Sequence, residues 1–441
     1  MKTTFTKITL SLAILGTMLT TQASWEITST SGSTFEVSDG TWTLKCQTSG
    51  SDGDFFITGF VSSADADIDL IALNSDIDTP EKNYSLTKIT QKAFRNAAIK
   101  NITFPKTLKV IEQYAFNPEK TENYITGEVF IEEGSELTTI TYQAFQKAQL
   151  TKINLDACTK LESIGNYAFA SCSKLTTIGT GILPNTLKTL GTGVFTDCSL
   201  LSNDISCNSS LDFSGGSHFK KTSVTSICFP NASGVIGSYF CSEAKQLTNV
   251  VLSSKITKFD IQVFQSCTSL KTFYPEKLPN ITYVGNFAFS STALTTPLNF
   301  KNATFTALTG QSFSSCNDLP EIHLPATLTQ ITDYVFKLVK DCDFYFYGLP
   351  PTVGAGSLQN FNGNCRGNIF VLEDNVTAWT NNTVSGYNFT PLSEVPDSEK
   401  TDTYQYPKEG RIIGKIAVGT APVGTHWLSL MPVVGTIILI D

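Results

Sequence analysis

A phenylalanine with the same flanking pattern returns along most of this chain: Phe94, Phe116, Phe145, Phe169, Phe195, Phe219, Phe240, Phe264, Phe289, Phe313 and Phe336, at intervals of 21 to 29 residues. Its surroundings return with it. Ile99–Phe116 (IKNITFPKTLKVIEQYAF), Leu247–Phe264 (LTNVVLSSKITKFDIQVF) and Leu319–Phe336 (LPEIHLPATLTQITDYVF) share apolar residues at relative positions 0, 3, 5, 9, 12, 16 and 17. A unit this short cannot enclose a core alone, so successive units must stack and seal one another's apolar sides. Within each unit, L-x-x-I-x-L puts two apolar side chains two residues apart, on one face of a short strand. A Pro or polar turn and a second L-x-x-I follow. The Ala-Phe pair and the next Leu, five or six residues on, have the spacing of one or two helical turns. The expected fold is an α/β repeat: a solenoid of about 11 units with a parallel β-sheet on one side and short helical or irregular segments on the other.

Composition agrees with a folded array. At 441 residues the chain is long for one compact core, and 16% charged against 41% hydrophobic residues argues against disorder. The formal charge is -8. An acidic chain is poorly suited to nucleic acid or anionic lipid, whose binding rests on Lys and Arg releasing counterions.

The ends read differently. Lys2 and Lys7 precede the apolar run Ile8 to Leu19 and the small, polar TTQAS, so residues 1–23 read as an export signal with Thr21 and Ala23 before the cleavage point. Residues 389–410 have the Pro, Ser and charge content of a linker. Residues 411–441 read as a short β-rich segment, since Gly419, Pro422, Gly424, Pro432 and Gly435 interrupt the uncharged run Ile416 to Ile440. No strong membrane insertion is expected after signal cleavage.

Leu150–Cys158 (LTKINLDAC) reads L-x-x-L-x-L-x-x-C, and Ile164–Ile178 (IGNYAFASCSKLTTI) reads I-x-x-x-A-F-x-x-C-x-x-L-x-x-I. From about Leu86 to Phe336 the chain resembles the BspA-like leucine-rich repeats. The resemblance implies a solenoid over 86–343 with caps over 24–85, where FEVSDGTWTL stands, and over 344–388, where Trp379 stands. It also implies a secreted or cell-surface protein that binds or adheres without catalysis. Two units depart from the pattern, the 29-residue interval after Phe116 and the stretch from Leu294 to Phe313, where the LTTPLNF strand is out of register.

Few residues suggest chemistry. Cys172, Cys198, Cys267 and Cys316 each lie three residues after an anchoring Phe, which makes them a buried ladder of small apolar residues. Cys342 and Cys365, 23 residues apart and so about one coil, are the candidates for a disulfide. His218, His323 and His426 are far apart, and no CxxC or HExxH occurs, so no metal or other cofactor is called for. His323, between Ile322 and Leu324, should face solvent. Asp65, Asp67, Asp69 and Asp76 have the spacing of a calcium loop, but Leu70 stands where its turn needs Gly, and they read as a solvated acidic edge.

The ligand-binding candidates are the outward strand positions Asn101, Thr103, Lys152, Asn154, Asn249, Val251, Thr272, Tyr274, Glu321 and His323, a row of hydrogen-bonding groups suited to an extracellular protein or glycan. Two alternatives are a structural spacer or surface-layer component and a parallel β-helix enzyme acting on polysaccharide. The enzyme would need an acid–base cluster on one strand face, and none of these positions forms one.

Overall fold

The computed structural model describes residues 24–49, 53–62, 65–77, 84–119, 124–340 and 342–354, and beyond them short stretches that include 367–372, 389–391, 427–431 and 434–440. From Leu86 onward the coils are tied to one another by three parallel ladders of hydrogen bonds, the two strand ladders being interrupted along the stack. The first runs through strands such as Ile99–Phe104, Glu128–Ile131 and Lys152–Ile153, where Ile102, Val129 and Ile153 align. The second runs through Val110–Ile111, Thr139–Ile140, Ser163–Ile164 and Thr189–Leu190, where Ile111, Ile140, Ile164 and Leu190 align. Strands therefore line two sides of the stack, where the sequence suggested one.

The third ladder corrects the helical reading of the Ala-Phe segment, which is a double turn. The residues two before and two after the anchor adopt left-handed backbone, as at Tyr167 (φ 57°) and Ser171 (φ 59°) around Phe169. Alternating handedness aims every second N–H along the stack. Tyr167, Phe169 and Ser171 donate to the carbonyls of Thr192, Val194 and Thr196 at 2.8, 3.0 and 2.8 Å. A helix would have closed those bonds within its own segment. Each left-handed residue costs about 1 kcal/mol, which the hydrogen bonds to the next coil offset. Helices are few among the described residues, notably Leu70–Ile77 and the 3-10 turns Leu155–Ala157 and Pro275–Lys277.

This ladder also corrects one anchor. Phe219 donates to the Phe240 carbonyl and Cys241 to that of Val263, so Cys241 holds the anchor position and Phe240 the place of the preceding Ala. On either side the anchoring rings form a continuous stack. Centroids from Phe94 through Phe116, Phe145, Phe169, Phe195 and Phe219 lie 4.8–5.9 Å apart with planes within 16°, close to the strand spacing that sets the rise per coil. Phe289, Phe313 and Phe336 resume it at 5.4 and 5.6 Å. Between the runs Phe219 meets Phe240 edge-on at 88°.

His218 sits at this interruption, at the position held by Val194 in the preceding coil and Phe240 in the next. It is fully buried against Phe213 and Phe240, with Nε2 3.1 Å from the Leu190 carbonyl and Nδ1 without a partner. The cysteine ladder lies beside the stack. Cys172, Cys198 and Cys316 donate Sγ–H to the anchor carbonyls Phe145, Phe169 and Phe289 of the preceding coil at 3.0–3.1 Å, and Cys267 to that of Cys241 at 3.2 Å.

The repeats are preceded by an antiparallel meander of Glu26–Ser31, Thr34–Ser38, Thr43–Thr48 and Asp54–Ser62, which joins the second ladder through Ser85–Ile89. Asp39 Oδ1 accepts from the N–H groups of Thr41 and Trp42 in its hairpin turn. Trp25 and Trp42 donate Nε1–H to the carbonyls of Asp69 and Asp67, fastening meander to stack. Beyond Asp343–Phe346 the first ladder continues in Gly367–Leu372, which pairs with Trp427–Met431 and Val434–Ile440.

Phe169→Ala removes a ring stacked on both sides and should cost about 3–5 kcal/mol, read as a fall in the urea midpoint. Burial pushes the His218 pKa down to about 4 from an ordinary 6.5, against smaller upward effects of the Leu190 carbonyl and Asp212. Between those values the unfolded chain binds a proton that the folded chain does not. Stability is therefore complete above about pH 6.5 and declines by about 3 kcal/mol as pH falls towards 4. Denaturation midpoints across that range should show the decline in the native chain and a flatter profile in His218→Val.

Candidate functional site

Along the first ladder, outward positions form two columns, and in the N-terminal coils their polar atoms are already engaged. Asn101 Nδ2 donates to Asp67 Oδ1 at 2.8 Å, while its Oδ1 accepts from the Glu128 N–H at 2.7 Å. Thr103 Oγ1 donates to Asp69 Oδ1 at 2.6 Å. The Asn154 amide accepts from the N–H and donates to the carbonyl of Ile131, and Lys152 pairs with Glu128 at 2.8 Å. The structure thus gathers Asn101, Thr103, Lys152 and Asn154 on one sheet but uses them to bond coil to coil. The acidic run is likewise distributed. Asp69 caps the helix Leu70–Ile77 through the N–H groups of Ile71 and Ala72, and Asp76 accepts from Trp25 N–H. Among the described residues no three His, Cys, Asp or Glu side chains are grouped to hold a metal ion.

The middle of the face is different. Ile182, Ser206, Cys228 and Val251 align on four consecutive coils and all point outward. Ile182 is 55% and Val251 39% exposed. Asn249, in the adjacent column, is exposed and donates Nδ2–H to Ser226 Oγ at 2.9 Å. Thr272 and Tyr274 correct another expectation. They flank buried Phe273 and face outward, with Tyr274 45% exposed, but Lys271–Tyr274 forms no strand and leads into the 3-10 turn Pro275–Lys277. The sheet stops at Asn249–Leu252 and resumes at Leu298–Asn299, which pairs forward with Glu321–Leu324.

Sequence reasoning missed Phe130 (40% exposed), Ile182 and Cys228 as surface residues. For two of them a signal existed. Val129-Phe130-Ile131 and Ile227-Cys228-Phe229 are apolar triplets in short strands, and period two turns the middle member outward. Ile182 follows left-handed Gly181 (φ 84°), which no pattern marked.

Towards the C-terminal end Glu321 and His323 are coupled. The His323 Nε2–H donates to Glu321 Oε1 at 2.5 Å, and Nδ1 accepts from the Tyr347 hydroxyl at 2.8 Å, the tautomer a carboxylate partner requires. The ring stacks on Tyr345 at 4.2 Å, which stacks on Phe370 at 4.1 Å. His323 faces outward but is covered, and the solvated reading fails because aromatic rings on the next two strands continue its row. Burial, then Glu321, pushes the hydroxyl pKa values of Tyr345 and Tyr347 up. Both phenols stay protonated at neutral pH, so Tyr347 serves as a donor and is no ready nucleophile. Three thiols of the core ladder are equally inert. Burial raises the pKa of Cys172 and Cys267 and pushes Cys316 up to about 11. Cys365, one half of the proposed disulfide, lies outside the described residues, as does His426.

The chain matches the family profile described as BspA type leucine rich repeat region (6 copies) over residues 73–178, 138–271 and 234–353. It is similar in structure to a leucine rich cell surface protein from Faecalibacterium prausnitzii A2-165, at 16% identity over 79% of this chain and 98% of that one, with a TM-score of 0.41. A leucine rich repeat protein of T. pallidum is 22% identical over 55% of this chain and 95% of its own, with a TM-score of 0.36. The pneumococcal vaccine antigen PcpA is 14% identical over 78% and 94%, with a TM-score of 0.37. No curated protein matches.

Brief alkylation of the native protein followed by peptide mapping should label Cys228 well ahead of Cys172, Cys198, Cys267 and Cys316. Equal labelling would contradict the register that turns Cys228 outward.

Proposed function

Because this chain belongs to the BspA-type leucine-rich repeat family, we propose that it is a secreted or cell-surface protein that binds an extracellular protein or glycan without catalysis, mediating adhesion to host or neighbouring cells. The observation that carries this reading is the outward-facing, uncharged row of exposed Ile182, half-buried Ser206 and Cys228, and exposed Val251. An interface core wants apolar side chains on a rigid base with polar groups around them. Here the base is a hydrogen-bonded sheet, and Asp204, Ser226 and Asn249 flank the row. In the N-terminal coils the same face offers mostly polar groups already bonded to neighbours, which favours the middle as the point of contact.

The spacer alternative has no observation in its favour beyond the rod-like stacking itself. For the enzyme alternative, the hydrogen-bonded group Glu321, His323 and Tyr347 offers a phenol that is held protonated.

Val251→Asp and Ile182→Asp place charges on the row where no core packing is disturbed. Either should weaken capture of immobilised matrix proteins or cells at least tenfold with an unchanged thermal midpoint. Capture that survives both substitutions would remove this face as the contact surface.

A further inference from the structure

The second-ladder side carries a separate feature near its C-terminal end. Val284, Leu308 and Ile331 align across three coils. The outward row one residue before them is Tyr283, Ala307 and Gln330, and the row two residues after is Asn286, Gly310 and Asp333. In both rows the middle coil has the smallest side chain or none. The result is an open trough of about 630 Å³ that runs from Asn286 past Thr309, Gly310, Gln330 and Asp333 to Gly354.

Gly310 is the informative residue, because packing does not require it. A Cβ at Gly285 would lie 2.7 Å from Asp260 backbone, and one at Gly354 would lie 2.2 Å from Asp333 Oδ1, so those glycines permit close approach of adjacent coils. A Cβ at Gly310 would meet nothing nearer than Asn286 at 3.6 Å. Its missing side chain keeps the trough open and serves no contact in the stack.

The lining limits what could enter. Two amides and the threonine hydroxyls supply paired donors and acceptors, and the buried Thr332 Oγ1 has no partner among the described residues. No Lys or Arg lines the trough, which disfavours phosphate, sulfate and uronate. The apolar surface is Ile331, Val353 and the carbon stems of the polar side chains, and no aromatic ring lines the trough, so it offers no stacking platform for an aromatic ligand. We infer that the trough running from Asn286 to Gly354 is a binding site for a neutral sugar residue, held by amide and hydroxyl hydrogen bonds to its hydroxyls. The site lies on another side of the solenoid from the row Ile182 to Val251 and stands without it.

The test is saturation-transfer NMR on the full chain with glucose, galactose, mannose, N-acetylglucosamine and glucuronate at millimolar concentration. Transfer to at least one neutral sugar is expected, lost in Gly310→Leu, which fills the trough, and weakened at least tenfold in Asn286→Ala, both with unchanged thermal midpoints. No transfer to any neutral sugar, transfer undiminished in Gly310→Leu, or a preference for glucuronate would overturn the inference. Val251→Asp should leave the sugar signal intact, so failure of either site is read separately from the other.

Discussion

The structure depends on backbone N–H groups that point along the stack instead of back into their own segment. At every Ala-Phe turn, alternation of right- and left-handed residues aims alternate donors at the next coil, as from Tyr167, Phe169 and Ser171 to Thr192, Val194 and Thr196. This fixes how one coil sits on another. The anchoring rings then fall at nearly the strand spacing and stack, with Phe116 and Phe145 4.8 Å apart and 5° from parallel. Two short strand ladders complete the coil. No coil has a core of its own, so each contact is also a constraint on the neighbour.

Departures from this rule gather in one region. His218 and Phe240 fill places held elsewhere by Ala, Val or Ser, Cys241 replaces the anchoring ring, and the stack turns edge-on between Phe219 and Phe240. The second ladder also divides there, ending one sheet at Thr189–Leu190 and beginning the next at Asp212–Phe213. Where Phe240 takes the small position and Cys241 the anchor, no ring is left to continue the parallel stack, so the aromatic packing reorganises around Phe219 and Phe240.

Surface chemistry follows from the same register. Lys88 with Glu112, Lys152 with Glu128 and Lys188 with Glu162 each join one coil to the next. Exposed pairs of this kind add little stability, but they engage the charges of the N-terminal coils with one another. Lys221 with Glu243 continues the pairing into the middle coils, and the uncharged row and the trough lie on different sides of the rod.

The architecture was legible in the sequence because a repeat states its packing many times over. The apolar positions named Ile102, Ile111 and Phe116 as core, and their counterparts in other coils followed. The conformation of the Ala-Phe segment was not legible, since its apolar spacing suits a helix as well as a double turn, and hydrogen bonds to the next coil decide between them. Nor was the anchor at Cys241, because Phe240 satisfies the same pattern one residue out of step. By itself the sequence determined that short units must stack, which side of each faces the core and which cysteines lie inside, since apolar burial is written in periodicity. Only the tertiary structure decided which outward residues remain available. Whether Asn154 is bonded to Ile131, or Gly310 leaves a gap between Asn286 and Asp333, depends on side chains brought alongside from coils about two dozen residues away.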